Sequence, residues 1–234
     1  PESIRHELLN WYRNERVVAL QPWSRQKENG VEIPEELRAW RMFLGELLVN
    51  QLPVERQMQF WQRVLQRWPD HKTFLEDAEP SRRRTFRSLH LEKNENLLQQ
   101  VAIQLKEGLE WKEWVRTDLK GLGRDKIRQC LAMVGITTDR SCSIALGRMV
   151  SRINASDESE KLLSRTRREL NLGLLLGGDK DGRIYRAAVA VAERWCQPEA
   201  LCDGGPSVNS DHCPLCISRS CGLVREKREH PEAV

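Results

Sequence analysis

Apolar residues recur at helical spacing along most of the chain, and polar or Gly/Pro-containing stretches separate the runs. Residues 3–18 form an amphipathic pattern that predicts a helix with Ser3 as its N-cap. Gln21-Pro22-Trp23 breaks it, and the polar segment to Pro34 reads as a loop. Pro34-Glu35-Glu36 predicts a first helical turn, with Pro at the first position and acids near the positive end of the dipole. That helix carries Leu37, Trp40, Phe43, Leu44, Leu47 and Leu48, and on pattern alone Glu46 is an ordinary exposed acid on it. A further Pro-started helix over 53–68 has Met58, Trp61, Val64, Leu65 and Trp68 as its expected core, with both tryptophans packing rather than stacking on bases. Pro69-Asp70 ends it, and a short helix is expected next. Later helices are predicted over 88–105, from Ile127 through Leu131 and Val134, over 161–176 and over 184–195. The polar run NASDESEK after Arg152 reads as a linker, and Gly177-Gly178-Asp179 as a break. The pattern predicts an all-α globular protein.

Length and charge narrow this little. The 234 residues can bury a full core, as one large domain or two small ones. A net charge of +4, with 38 Lys and Arg, permits a basic face without requiring one. No apolar run approaches the roughly 18 residues of a membrane helix, and no signal-peptide pattern opens the chain. An intracellular, cytoplasmic protein is expected, nucleoid-associated in a prokaryote, and the opening Pro1 suggests a trimmed start. Cysteine usage changes the picture more. Cys130 and Cys142 lie in the middle, whereas five others crowd between Cys196 and Cys221, which favours a metal or iron–sulfur site over a disulfide framework. Four thiolates at short spacing suit tetrahedral zinc or a four-iron cluster, and spacing alone does not separate the two.

The densest candidate chemistry lies between Leu119 and Arg152. Leu119-Lys120-Gly121-Leu122-Gly123 predicts a tight turn whose glycines let backbone N–H groups and a helix N-terminus approach a phosphate. Lys120, Arg124 and Lys126 add positive charge around it. A bland helix–turn–helix fits the same residues. Ser81-Arg82-Arg83-Arg84 is a second basic run, either solvated or touching phosphate.

These segments together resemble the helix–hairpin–helix DNA glycosylases, the superfamily of endonuclease III and the A/G-specific adenine glycosylase. The hairpin resembles Gly121-Leu122-Gly123. Gln21-Pro22-Trp23 followed by Gly45-Glu46-Leu47-Leu48-Val49-Asn50-Gln51 resembles the adenine glycosylase pattern of Leu-Pro-Trp and Ser-Glu-x-Met-Leu-Gln-Gln. The resemblance implies that Glu46 is the general acid that protonates the departing base and that Gln51 wedges into the duplex. The family's catalytic Asp falls, counted without a gap, on Ser143, and its following Arg on Arg148; Asp139 is a possible substitute carboxylate. The lysine that forms a Schiff base in bifunctional members falls on Asp125. Lys126 next door projects about 100° away, so a lyase step is not expected. Ser88-Leu89-His90-Leu91 replaces the family's small-residue turn ahead of the hairpin.

The family's terminal cluster motif resembles Cys196-x16-Cys213-x2-Cys216-x4-Cys221, with Cys202 as a competing first ligand. The resemblance therefore implies a 4Fe–4S cluster, with zinc as the alternative. It implies a two-lobed glycosylase fold: a six-helix barrel over 36–152 and a discontinuous iron–sulfur cluster lobe from 1–35 and 153–234. The implied function is a monofunctional DNA glycosylase of base excision repair. It would act as a monomer on double-stranded DNA holding a mismatched or damaged base, with a mechanism altered by loss of the usual Asp. The alternative is a catalytically impaired binder of DNA lesions or structures on the same scaffold.

Overall fold

A computed structural model of the chain describes residues 2–13, 21–108, 111–114, 119, 121–137, 144–153, 165–177, 179, 182–196, 213 and 215. These are mostly helical. The helices are α1 (Glu2–Arg13), α2 (Glu35–Leu44), α3 (Val54–Arg67), α4 (His71–Glu76), α5 (Glu79–Ser88), α6 (Glu92–Glu107) and α7 (Trp111–Trp114). They continue with α8 (Arg124–Met133), α9 (Ile144–Ile153), α10 (Arg165–Leu176) and α11 (Arg183–Trp195). The expected loop ahead of α2 holds a small antiparallel hairpin, β1 (Lys27–Glu28) and β2 (Val31–Glu32), joined through Asn29 and Gly30 at positive φ. Among the described residues no helix is long and apolar enough to cross a membrane.

The chain divides into two compact units, Gln21–Arg140 and the discontinuous pair Pro1–Leu20 with Ser141–Val234. These bounds differ from 36–152. The Pro22–Ser24 turn packs on α2, which draws the 21–35 segment into the central unit, and α9 packs on α10 and α11.

The central unit is built around aromatics on α2 and its neighbours. Trp40 and Phe74 lie 5.3 Å apart, Trp68 and Phe74 5.1 Å, and Phe43 and Trp114 5.6 Å between ring centroids. The indole N–H of Trp40 donates to the Trp68 carbonyl at 3.0 Å, so the buried polar edge is satisfied. Trp61 and Trp68 are buried packing residues, as their spacing predicts, whereas Met58 is exposed rather than core. Pro34 and Pro53 sit at the N-cap positions of α2 and α3, one residue ahead of the first turn. Their extended ψ ends the incoming chain where the helix begins. Asp70 caps α4 by accepting from the Thr73 N–H at 2.8 Å and its hydroxyl at 2.7 Å.

In the other unit α1 packs along α11 and α10. Ser3 lies inside α1 rather than ahead of it. Arg186 donates to the Tyr12 hydroxyl at 3.1 Å, and Arg5 donates to the carbonyls of Leu174 and Leu175 at the end of α10. Asp179 accepts from the N–H groups of Ile184 and Tyr185 at 3.1 and 3.0 Å, so the expected Gly-Gly-Asp break also caps the next helix.

Candidate functional site

Glu46 is not the exposed helix acid its pattern suggests. At Gly45 the regular winding of α2 widens, and over Gly45–Val49 the backbone makes a π-turn closed by the Asn50 N–H donating to the Gly45 carbonyl at 2.8 Å. Such single wide turns interrupt helices frequently at functional positions. The extra residue rotates Glu46 inward, to 2 % exposure. Trp23 holds the turn from the side: a Cβ on Gly45 would sit 2.1 Å from the Trp23 Cγ. Glycine at 45 is thus required by the indole pressed on it.

Three donors converge on the Glu46 carboxylate. The Trp23 indole N–H donates to Oε1 at 3.1 Å, the Asn50 amide to Oε2 at 3.3 Å, and the Lys126 Nζ lies 2.6 Å from Oε2. Lys126 comes from the glycine hairpin. Leu119 is buried, the Leu122 N–H donates to its carbonyl at 2.9 Å, and Gly121 takes φ +103°. Gly123 is the N-cap of α8, its carbonyl accepting from Lys126 and Ile127 at 2.9 and 3.2 Å. The far end of α8 is fastened to α2, since Arg38 donates to the Val134 carbonyl at 2.8 Å. Anchored at both ends, the first turn of α8 presents Lys126 to Glu46 while Asp125 remains exposed. Asp125 and Lys126 thus lie on different faces, and it is Lys126 that meets Glu46.

The remaining expected residues separate. Gln51 is exposed and donates to the Glu46 backbone carbonyl at 3.2 Å, which ties it to the π-turn. Gly121, Gly123 and Arg124 are exposed at the hairpin. Arg148 is half-buried on α9, in the other unit. Lys120, Asp139 and Ser143 lie outside the described residues, as do Cys202, Cys216 and Cys221. Cys196, at the end of α11, and Cys213 are both buried. Among the described residues no group of three or more His, Cys, Asp and Glu side chains is arranged to hold a metal ion.

The basic run at 82–84 has a structural use. Arg82 is buried, donates to the Phe74 carbonyl at 3.2 Å and to that of Asp77, and lies 3.8 Å from Glu95. Arg83 pairs with Glu79 at 2.5 Å, and Arg84 is exposed. Sequence reasoning missed Asn50 and the Lys126 contact. Asn50 stands four residues after Glu46, a spacing that puts two side chains on one helix face. Nothing local signals Lys126, because its approach depends on how α8 docks.

No protein-family model matches the chain, and no curated protein matches it.

Proposed function

We propose that the chain is a monofunctional DNA glycosylase of the helix–hairpin–helix type, resembling the adenine glycosylases, with Glu46 as the general acid. The observation that carries this reading is the 2.6 Å approach of Lys126 to Glu46. It joins the Pro-Trp and Gly-Glu segments to the glycine hairpin, which are distant in sequence and which the resemblance requires in one site. A glycosylase extrudes the target base from the stack at a cost of a few kcal/mol before reaching the C1′–N bond. Cleavage leaves an oxocarbenium-like sugar, so the departing base needs a proton and the cation needs stabilisation. Glu46 supplies the first, in a dry setting where a positioned acid is most effective. Ser143 carries no charge for the second; Asp139 or water takes that part. A Lys126 ammonium on a carboxylate has no lone pair for a carbonyl, which supports hydrolysis without a lyase step.

The central unit corresponds in this reading to the barrel lobe and the discontinuous unit to the cluster lobe. Buried thiols at Cys196 and Cys213 suit a thiolate-held group, and Cys213, Cys216 and Cys221, with Cys196 or Cys202, would hold a 4Fe–4S cluster, or zinc as the alternative. When bound, such a cluster would brace the chain after α11 and supply no atom to base release. The partner is duplex DNA, gripped through the exposed N–H groups at Gly121 and Gly123 together with Arg124.

A panel of duplexes carrying different mismatches and lesions, assayed for abasic sites by alkali cleavage, tests the reading. Glu46→Gln should lower base release by about 10²–10⁴-fold. Duplex binding should stay within a few-fold, because phosphate contacts dominate affinity. Ser143→Asp should raise release by about an order of magnitude by restoring a preorganised charge. Duplex binding with no base release from either form favours the non-catalytic binder.

A further inference from the structure

The fold uses only part of the basic run at 81–84. Arg82 is buried on carbonyls and Arg83 pairs with Glu79, but Arg84 is exposed on α5 with no hydrogen bond or ion pair among the described residues. The side chains of Arg87, His90 and Lys93 share that condition, and one exposed acid, Glu92, stands among them. The turn that carries them is fixed. The His90 N–H donates to the Arg87 carbonyl at 3.1 Å and the Leu91 N–H to the Phe86 carbonyl at 2.9 Å, which closes α5 with His90 at φ +58°. Glycine suits such a closure best, so a side chain kept there under strain points to a use outside the fold.

The same turn is tied to the candidate site. Asn94, next to Lys93, donates to the Leu47 carbonyl of the π-turn at 2.6 Å. Leu97, three residues on, lies where a Cβ on Gly121 would meet its Cδ2 at 3.3 Å. One stretch of α6 therefore touches the turn that carries Glu46 and then the glycine hairpin. From Lys93 to Leu97 the helix rises about 6 Å, the axial rise of about two phosphates along one strand of a duplex.

We propose that the α5–α6 turn is a second phosphate-binding surface for duplex DNA, with Arg84, Arg87 and Lys93 on the backbone and His90 beside them. This rests on duplex DNA being the partner, as in the proposed function, and extends the grip beyond the hairpin. Arginine at two of the positions suits phosphate, whose oxygens a guanidinium fork meets in pairs. A second anchor opposes rotation of a duplex held at the hairpin alone. Because phosphates carry no sequence information, it strengthens binding to every duplex alike.

Fluorescence anisotropy of the full chain with an undamaged duplex over a series of salt concentrations tests this. Two pairs of variants each remove two positive charges. Arg84→Gln/Arg87→Gln should make the slope of log affinity against log salt shallower by about 1.8, at about 0.9 per phosphate contact. Lys72→Gln/Lys106→Gln, at exposed lysines near His71, should leave the slope unchanged. Adding Lys93→Gln to the first pair should remove about 0.9 more. Equal losses from both pairs would reduce the effect to net charge and overturn the surface. An unchanged slope in the folded Arg84→Gln/Arg87→Gln protein would overturn it too. So would a wild type that binds polyglutamate but no duplex, which would assign the turn to an acidic protein partner, or one that binds neither. Circular dichroism melts identify folded variants, and either single substitution serves if the pair does not fold. The slopes need no base release. Binding that depends on the turn in a protein that excises nothing keeps the surface and sinks the glycosylase reading, whereas excision with an unchanged slope sinks the surface alone.

Discussion

Two glutamates are buried among the described residues of the central unit, and their surroundings have opposite designs. Glu95, 4 % exposed, sits in the first turn of α6 on regular backbone, with Arg82 at 3.8 Å and Arg83 at 3.9 Å. Both cations are committed elsewhere: Arg82 holds the Phe74 and Asp77 carbonyls and lies over the Phe74 ring, and Arg83 pairs with Glu79. Burial pushes the Glu95 carboxyl above its ordinary value, while Arg82 and Arg83 pull it back. Glu46 sits on a π-turn, its nearest cation is a partly exposed lysine, and a glycine is kept open for the indole beside it. Burial alone does not mark a reactive acid. Glu95 is held by guanidinium groups that also serve the fold, whereas Glu46 is displayed by irregular backbone beside a partly exposed ammonium.

The largest expected effect breaks the Glu95 side of the comparison. Arg82→Met leaves the buried Glu95 carboxylate short of its closest cation, and removing one partner of a buried pair costs about 3–5 kcal/mol. The double variant Arg82→Met/Glu95→Met removes both charges and should recover part of that loss, less the carbonyls Arg82 no longer caps. Urea melts of the two singles and the double measure it. Base release by whatever protein stays folded should be unaffected. If Arg82→Met abolished release in a fully folded protein, the two acids would not be separable as scaffold and site.

Gly45→Ala perturbs the Glu46 side less. The added methyl meets the Trp23 ring and forces either the indole or the π-turn to move, at about 1–3 kcal/mol for overpacking. Because the same indole donates to Glu46, excision should fall further than stability alone explains. Equal losses in melting and in single-turnover release by the folded fraction would make Gly45 a packing residue only.

The helices, their breaks and most of the aromatic core were legible from spacing, because periodicity reports which face is buried. Glu46 was legible as a candidate only through the resemblance. Its pattern says exposed helix, and no local signal announces that the winding widens at Gly45. Trp23 and Gly45 both lie in motif segments, yet their contact is tertiary. The Lys126 contact is hidden from sequence for the same reason: helical geometry fixes the angle between neighbours, not how the helix is rotated against α2. The run at 82–84 misled in the other direction, since composition reads charge as surface while Arg82 is spent on buried carbonyls. His90, at φ +58°, occupies a left-handed turn that glycine would adopt at lower cost.

Acid should test the other ionisable groups of the central unit. Burial lowers the His71 imidazole below its ordinary 6.5, against the pull of Glu36 and Asp70. The folded protein thus binds that proton less readily than the unfolded chain, and stability falls as pH drops below about 6.5. Asp70 and Asp77 are pushed up by burial but pulled further down by donors, the Thr73 N–H and hydroxyl for one and Trp68 with Arg67 for the other. Their stabilisation is present above 3.8 and lost as pH falls through the folded value. Glu95 has the opposite sign: its contribution is full below 4.5 and lost as pH rises through its raised value. Thermal melts from pH 8 to 3 should show a first loss that His71→Gln removes and a steeper one that it leaves. A melt curve flat from pH 8 to 5 would remove His71 as the cause.

The smallest effect on stability is expected at Gly123, which differs from Gly121, the other hairpin glycine that sequence treats alike. Gly121 has φ +103°, where an L side chain is strained, and its Cβ would meet Leu97 Cδ2 at 3.3 Å. Gly121→Ala should therefore cost about 1–3 kcal/mol of stability. Gly123 has φ −62° and ψ 145°, ordinary for any residue, and among the described residues nothing lies within 4 Å of a Cβ built there. Gly123→Ala should change stability by less than about 1 kcal/mol, since the narrower unfolded ensemble of alanine offsets its poorer fit at a helix N-cap. Beyond the N-cap preference, the described residues give no reason for glycine at 123. The reason left is close approach from outside, as a phosphate reaching the N–H groups at the start of α8 would need. Fluorescence anisotropy should then show Gly123→Ala weakening every duplex by a similar factor, because phosphate contacts carry no sequence information. A loss confined to one lesion would mean that the hairpin meets bases. Unchanged binding in a protein whose stability is also unchanged would leave Gly123 without a role and move the DNA-binding surface away from the hairpin.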